Sequence, residues 1–151
     1  MDQENVKVLD RMRALCSRRE YCKGDIMKKV LPAVGGDREA AAKIMDTLVN
    51  EKYIDELRYA SAFVRDKSSL SGWGPAKIRY MLAAKGVDRE IIASALEEVD
   101  VSRADARFEK LMENKARSLK DDPQRRIKLL RFGVGRGYAY EEVSSMIDRI
   151  L

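Results

Sequence analysis

The chain has 151 residues, enough for one domain or a few small repeats that bury a real hydrophobic core. Apolar residues make up 45% of it and charged residues 36%, which is typical of a folded helical protein and excludes a disordered one. No run of about 18 apolar residues is present, so we expect no membrane span, and the acidic residues near the start favour a cytoplasmic protein over a secreted one.

Apolar residues recur at helical spacing along nearly the whole chain, and strand-like alternation is absent. In chain order, the apolar stripes are Leu9, Met12, Leu15 and Cys16; Ile44, Leu48 and Val49; Leu57, Ala60, Phe63 and Val64; Ile78, Met81 and Leu82; Ile91, Ala95, Leu96 and Val99; Ala104, Phe108 and Leu111; Ile127, Leu130 and Val134; and Val143, Met146, Ile147 and Ile150. The pattern predicts an all-α protein of about nine helices.

The gaps between the stripes carry the residues that start helices. Short polar residues, whose side-chain oxygens accept first-turn amides, are predicted as N-caps at Asp37, Asp55, Asp88, Ser102 and Asp122. Ser102 followed by Asp105 has the spacing of a capping box in its acidic variant. Pro75 and Pro123 suit the first helical position, where the missing N–H would have no partner anyway.

The pattern repeats. Gly86 and Gly137 each follow a helical stripe, as left-handed C-terminal caps do, and they lie 51 residues apart. Aligning these two glycines pairs Ile78 with Leu129, Val87 with Tyr138, and Leu96 with Ile147, while Ile26 lies 52 residues before Ile78. We therefore predict three tandem three-helix repeats, spanning residues 1–52, 53–100 and 101–151, that form an elongated, curved molecule.

The net charge of +5 is unevenly spread. Residues 53–100 hold 7 basic and 8 acidic side chains, whereas residues 107–136 hold 10 basic and 4 acidic ones. A concentrated basic stretch attracts phosphates or an acidic protein surface, although solvated helix faces are also charged. The candidate contact residues are Arg125, Arg126, Lys128 and Arg131, which share one helical stretch with no acid inside it, and Lys77 and Arg79, which lie off the apolar stripe of their helix.

The segment SGWGPAK places the single tryptophan between two glycines and in front of a proline. We predict a structural hinge formed by Gly72, Trp73, Gly74 and Pro75 that sets a turn and the entry into the next helix. Trp73 either plugs the junction between two helices or stacks on a nucleobase, and the first interpretation is favoured.

No residues of the sequence make a catalytic or metal centre. Cys16 and Cys22 stand alone without any histidine, short of the four ligands of a structural zinc, and are expected to be reduced. No nucleophile–base motif, Walker loop or dinucleotide fingerprint occurs, so we expect neither an enzyme nor a cofactor. The tyrosines Tyr21, Tyr59 and Tyr80 are expected in the core or at its rim.

Three segments resemble the RecX family of regulatory proteins. They are ALCSRREYCKGDIMKKV, then YIDELRYASAFVRDK followed by GWGPAKIRYMLAAKGV, and finally KLLRFGVGRGYAYEEV. Two features depart from the family pattern: PAVGGD makes an unusual turn, and the run Gly133–Val134–Gly135 is expected to loosen a helix.

The resemblance implies a protein that binds the RecA–single-stranded DNA filament, lies in its groove and dampens strand exchange and ATP hydrolysis. It implies roles in homologous recombination, DNA repair and the SOS response, and weak, non-specific binding of free single-stranded DNA. We expect a monomer in solution.

Two other classes of function stay open at this point. The segment IRYMLAAKGVDREIIASALEEV has the two helices and the turn of a helix-turn-helix DNA-binding regulator. Its second helix, however, offers Arg89, Glu90, Glu97 and Glu98, which is too acidic for a major groove. A helical scaffold that binds only proteins is the third interpretation.

Overall fold

The computed structural model describes residues 1–151 and contains nine α-helices and no β-strand. The helices are α1 (Gln3–Arg18), α2 (Lys23–Ala33), α3 (Arg38–Asn50), α4 (Glu56–Ser69), α5 (Pro75–Ala84), α6 (Arg89–Glu97), α7 (Val101–Ser118), α8 (Arg125–Gly135) and α9 (Tyr140–Ile150). The prediction of an all-α protein with about nine helices is confirmed.

The helices pack in threes around three hydrophobic cores. Residues at equivalent positions of the predicted repeat are buried in successive cores: Ile26 in the first, Ile78 in the second and Leu129 in the third. The accessible surface of 9474 Å² exceeds the roughly 7,800 Å² expected of a compact chain of this mass, so the array of repeats is elongated. The predicted boundaries after residues 52 and 100 fall between helices, and the division into three domains stays a prediction.

Several helix ends form as their residues predict. The carboxylate of Asp37 accepts the backbone N–H groups of Glu39 and Ala40 at 3.1 Å each. Asp55 caps α4, and Pro75 is the first residue of α5. Gly86 and Gly137, with φ of 82° and 98°, adopt the left-handed conformation that ends α5 and α8.

The predicted cap of α7 is wrong. The helix begins at Val101, and the carboxylate of Asp100 accepts the N–H of Arg103 at 3.1 Å. Ser102 therefore lies inside the first turn, and its predicted capping box with Asp105 does not form. The reason is that an aspartate two residues earlier already satisfies the first-turn amides.

The start of α8 also differs from the prediction. The helix begins at Arg125, so Pro123 precedes the first helical position, and Asp122 instead closes the turn before the helix by accepting the N–H of Gln124 at 2.8 Å. Asp88 does occupy the N-cap position of α6, but its side chain makes no capping hydrogen bond.

Three residues assigned to apolar stripes are exposed to solvent: Leu57, Ile127 and Val134. In α8 the buried face instead carries Leu129 and Gly133. Gly133 has no apolar side chain, so the apolar pattern does not reveal that its side of the helix is buried. The predicted stripe of α8 is therefore on the wrong face.

The expectation that Gly133–Val134–Gly135 loosens α8 is also wrong, since the helix continues through Gly135. A Cβ on Gly133 would lie 2.5 Å from Cγ1 of Val143 and 3.3 Å from Cζ of Phe108. The missing side chain thus lets α9 approach α8 closely and leaves room for the ring of Phe108.

The predicted hinge is a joint between the second and third repeats. The N–H of Gly74 donates to the carbonyl of Arg136 at 2.6 Å, and the N–H of Ala76 donates to the carbonyl of Gly137 at 3.2 Å. A Cβ on Gly74 would lie 2.5 Å from the carbonyl oxygen of Gly137, and one on Gly72 would overlap the side chain of Leu111 in α7. Only glycine permits these backbone approaches.

The first and second repeats meet through an equivalent joint. The start of α2 lies against the end of α5, where a Cβ on Gly24 would be 3.2 Å from the carbonyl oxygen of Lys85. The ammonium of Lys85 pairs with Asp25 at 3.1 Å. Cys22, just before α2, is a free thiol buried in the second core, as the expectation of reduced cysteines requires.

We expect the Asp25–Lys85 pair to weaken in acid. Burial of Asp25 raises its pKa, but hydrogen bonds from Lys85 and Cys22 and nearby positive charge outweigh burial and hold the pKa below its ordinary value. The stabilisation is therefore complete above about pH 4 and is lost as the pH falls through the lowered pKa. Urea unfolding should show the parent chain more stable than Asp25→Asn by about 1 kcal/mol at pH 6. At pH 2.5 that difference should shrink, and an unchanged difference would contradict the role of the ion pair.

The two glycines of α8 should respond oppositely to alanine. Gly133→Ala should lower the free energy of unfolding by about 1–3 kcal/mol, because the new methyl group overlaps Val143. Gly135→Ala is the matched control, since a Cβ there meets nothing within 4 Å and should stabilise the chain by up to about 0.5 kcal/mol. Thermal unfolding of both variants gives the comparison, and equal effects would rule out the packing role of Gly133.

Candidate nucleic-acid interface

The basic residues predicted on α8 are largely engaged within the protein. Arg126 pairs with Asp148 at 2.7 Å, and Lys128 pairs with Asp122 at 2.5 Å. The Nε–H of Arg125 donates to the carbonyl of Ala116 at 3.1 Å. The helix itself holds no acid, as the sequence indicated, but neighbouring segments supply the carboxylates. Arg131 is exposed and forms no ion pair.

Trp73 lies half-buried at the joint, and its stacking on a nucleobase stays a prediction. Its backbone N–H donates to the carbonyl of Lys67 at 2.8 Å, and its ring meets that of Phe63 edge-on, with 6.1 Å between the ring centres. Two ammonium groups stand over the same ring, with Nζ of Lys67 4.7 Å and Nζ of Lys77 4.3 Å from its centre. The ring is thus a plug on one side and a cation-binding face on the other.

Phe132, at the end of α8, has a similar setting. The guanidinium of Arg136 lies 5.2 Å from the centre of its ring, and the ammonium of Lys115 lies 5.6 Å from it. Because Gly74 bonds to the carbonyl of Arg136, this second ring stands beside the joint that carries Trp73.

The four cations around these two rings are called the joint cations: Lys67, Lys77, Lys115 and Arg136. All four are half-buried, and none forms an ion pair with a carboxylate. The ring faces partly shield their charge, which is the purely structural explanation of the arrangement. A cluster of one sign without counter-charges also raises the local concentration of anions, and aromatic faces accept stacked bases.

Sequence reasoning found Lys77 but missed Lys67, Lys115, Phe132 and Arg136. The repeat could have indicated Arg136. In the alignment of repeats, Lys77 occupies the position of Asp25, and Arg136 occupies the position of Lys85. The first joint therefore has an acid facing a base, and the second has two bases.

The predicted candidates do not form one patch. Lys77 lies against Gly137, just beyond the end of α8, whereas Arg126 lies near the start of that helix, about 15 Å away along its axis. Arg79 is exposed on α5 and forms no ion pair. Tyr21 and Tyr59 are buried as expected, whereas Tyr80 is 73% exposed, which corrects its assignment to the core or rim.

The helix predicted as a possible DNA-reading helix is α6. Its exposed side chains include Arg89, Glu90 and Glu97, with Glu98 just beyond its end, so its outer surface is acidic. Such a surface repels the phosphates that flank a major groove. No group of three or more histidine, cysteine, aspartate or glutamate side chains converges as a metal site, and no helix has the length and apolar character to cross a membrane.

Comparison with known proteins identifies the family. A family model described as the second three-helix domain of RecX matches residues 55–96. A regulatory protein RecX of Pseudomonas entomophila (strain L48) is 36% identical over 138 residues, which are 91% of this chain and 84% of that protein. The regulatory protein RecX of Clostridium botulinum (strain Alaska E43 / Type E3) is 30% identical and matches 100% of this chain and 76% of its own.

Solved structures agree with these relatives. A crystal structure of a regulatory protein RecX superposes with a TM-score of 0.80 at 26% identity and covers 97% of this chain and 71% of that one. The fold is shared with RecX from Lactobacillus salivarius, with a TM-score of 0.82 at 19% identity over 99% of this chain and 98% of the other. The resemblance seen in the sequence is confirmed, and the chain belongs to the RecX family of regulatory proteins.

Proposed function

We propose that this protein binds the RecA–single-stranded DNA filament and dampens its strand exchange and ATP hydrolysis during homologous recombination. Membership in the RecX family supports the regulatory role, because its relatives carry the name regulatory protein. The elongated array of repeats supports it as well, since such a shape can follow a groove over several subunits.

The observation that carries the DNA contact is the set of joint cations around Trp73 and Phe132. Half-buried cations without carboxylate partners favour phosphates, and each of the four stands over one of the two rings beside the joint. The cations of this surface can contact any phosphate, and its aromatic rings can stack on any base. Binding of free single-stranded DNA is therefore weak and independent of sequence.

One chain holds the whole of this surface, so a monomer is sufficient for binding. The basic residues of α8 then act at longer range, because two of them are already paired with aspartates. Arg131 and Arg79, which have no ion pair, are the predicted residues that add free positive charge outside the joint.

Neutralising the joint cations should remove most of the salt dependence of DNA binding. Each phosphate contact on a single strand contributes about 0.7 to the logarithmic salt slope, so changing all four to glutamine should reduce the slope by up to about 2.8. Fluorescence anisotropy of a labelled oligonucleotide at several salt concentrations measures this. The variant Lys29→Gln with Lys43→Gln, two exposed lysines in the first repeat without ion pairs, is the control. A control that loses as much slope per charge would show that net charge alone drives binding.

Trp73 should report DNA binding directly. It is the only tryptophan of the chain, so stacking of a base on its ring should quench the intrinsic fluorescence when oligonucleotide is added. Trp73→Ala should lower the free energy of unfolding by about 1–2 kcal/mol, less than for a fully buried tryptophan, because the ring is half-buried. Unchanged fluorescence at saturating DNA would leave Trp73 with a packing role alone.

The filament itself provides the decisive test. RecA hydrolyses ATP on circular single-stranded DNA, and we expect this protein to slow that hydrolysis in a concentration-dependent way. The glutamine variant of the joint cations should inhibit at least tenfold less, while the Lys29 and Lys43 control inhibits normally. Failure of the parent protein to slow hydrolysis or to sediment with filaments would refute the proposed function.

A further inference from the structure

A large acidic groove runs between α7 and α9 in the third repeat. It has a volume of about 880 Å³, and four carboxylates line it: Asp105, Glu109, Glu141 and Glu142. The only basic residue in its wall, Arg149, pairs with Glu109 at 3.2 Å. Asp105, Glu141 and Glu142 form no ion pair, although the chain as a whole is basic.

Helix electrostatics explain part of this acidity. Glu141 and Glu142 lie in the first turn of α9, where negative charge interacts favourably with the helix dipole. That explanation does not cover Asp105, which belongs to the other helix and shares the groove with Glu142. It also does not explain Tyr138, which lines the groove together with Asp105 and Glu142.

Tyr138 is the second, independent feature of the groove. The residue is only 8% exposed, and its ring stacks on that of Phe108 with 3.7 Å between centres. It lines the groove wall together with Asp105 and Glu142, and its hydroxyl forms no hydrogen bond within the protein. Burial, and then the charges of Asp105 and Glu142, raise the pKa of Tyr138 to about 12, so the phenol stays neutral. The side chain is therefore buried almost completely, while its hydroxyl keeps access to solvent and is free to bond to a ligand in the groove.

We propose that this groove receives a lysine or arginine side chain from a protein partner. The unpaired carboxylates of Asp105 and Glu142 accept the cation's N–H donors, and the hydroxyl oxygen of Tyr138 accepts another. A flexible cationic side chain fits because the groove is open and anionic, and its wall includes the exposed Ala106 and the edge of Met146, which offer apolar contact to the aliphatic stem.

The position of the groove favours protein over nucleic acid as the source of that cation. Tyr138 packs against Gly74, so the acidic groove adjoins the joint between the second and third repeats. The groove is negatively charged, whereas the joint cations are positively charged. Phosphates are repelled from the groove and attracted to the joint. The inference rests on the proposed function in one respect, namely that the partner is the protein component of the filament, which presents the basic side chain next to the DNA.

The test compares filament binding with binding of free DNA. The isosteric double variant Asp105→Asn with Glu142→Gln removes two charges of the groove. Asp46→Asn with Glu90→Gln is the matched control, since Asp46 lies within a helix, Glu90 in a first turn, and both are exposed without ion pairs. Co-sedimentation with RecA filaments on single-stranded DNA and anisotropy with the DNA alone are measured for each.

We expect the groove variant to bind filaments at least tenfold more weakly and free DNA as well as the parent does, while the control binds both normally. Tyr138→Phe keeps the ring on Phe108 and removes the hydroxyl, so it should weaken filament binding severalfold with an unchanged melting temperature. Normal filament binding by the groove variant would overturn the proposal, as would an equal loss of filament and free-DNA binding. If the parent protein itself does not bind filaments, the proposed function fails first, and the groove proposal fails with it for this partner.

Discussion

The backbone contact between Gly74 and Gly137 determines how the second and third repeats meet. Hydrogen bonds cross from the start of α5 to the end of α8, and a Cβ on either glycine would lie within about 2.6 Å of the other segment. Side chains usually separate packed helices by several ångströms more. Because these two positions have none, polar backbone groups of different repeats pair directly, and the joint has one geometry.

Both sides of the candidate site depend on that geometry. Trp73 and Lys77 stand on one segment of the joint, and Arg136 and Tyr138 on the other. An apolar cavity of about 240 Å³ lies between the repeats, and the rings of Trp73 and Tyr138 both line it. The basic and acidic surfaces are therefore neighbours in packing as well as in sequence.

The two joints of the chain show how one fold can carry different chemistry. In the first joint, Asp25 and Lys85 form an ion pair that holds two repeats together. In the second joint, lysine and arginine occupy the same two positions, and aromatic rings take the place of the missing carboxylates. Like charges side by side contribute no attraction, so the second joint relies on glycine backbone contacts and leaves its cations available for an anion.

The sequence by itself determined the helices, their approximate number and the 51-residue repeat, because helical spacing and turn glycines are local signals that each repeat carries separately. It also indicated the family, and the basic contact region that it predicts stays a prediction. Only the tertiary structure decided which cations are free: Arg126 and Lys128 look unpaired along α8 and are matched by Asp148 and Asp122 from other segments. Pairing of charges and burial of a glycine such as Gly133 depend on residues distant in the chain, and a local pattern contains no information about them.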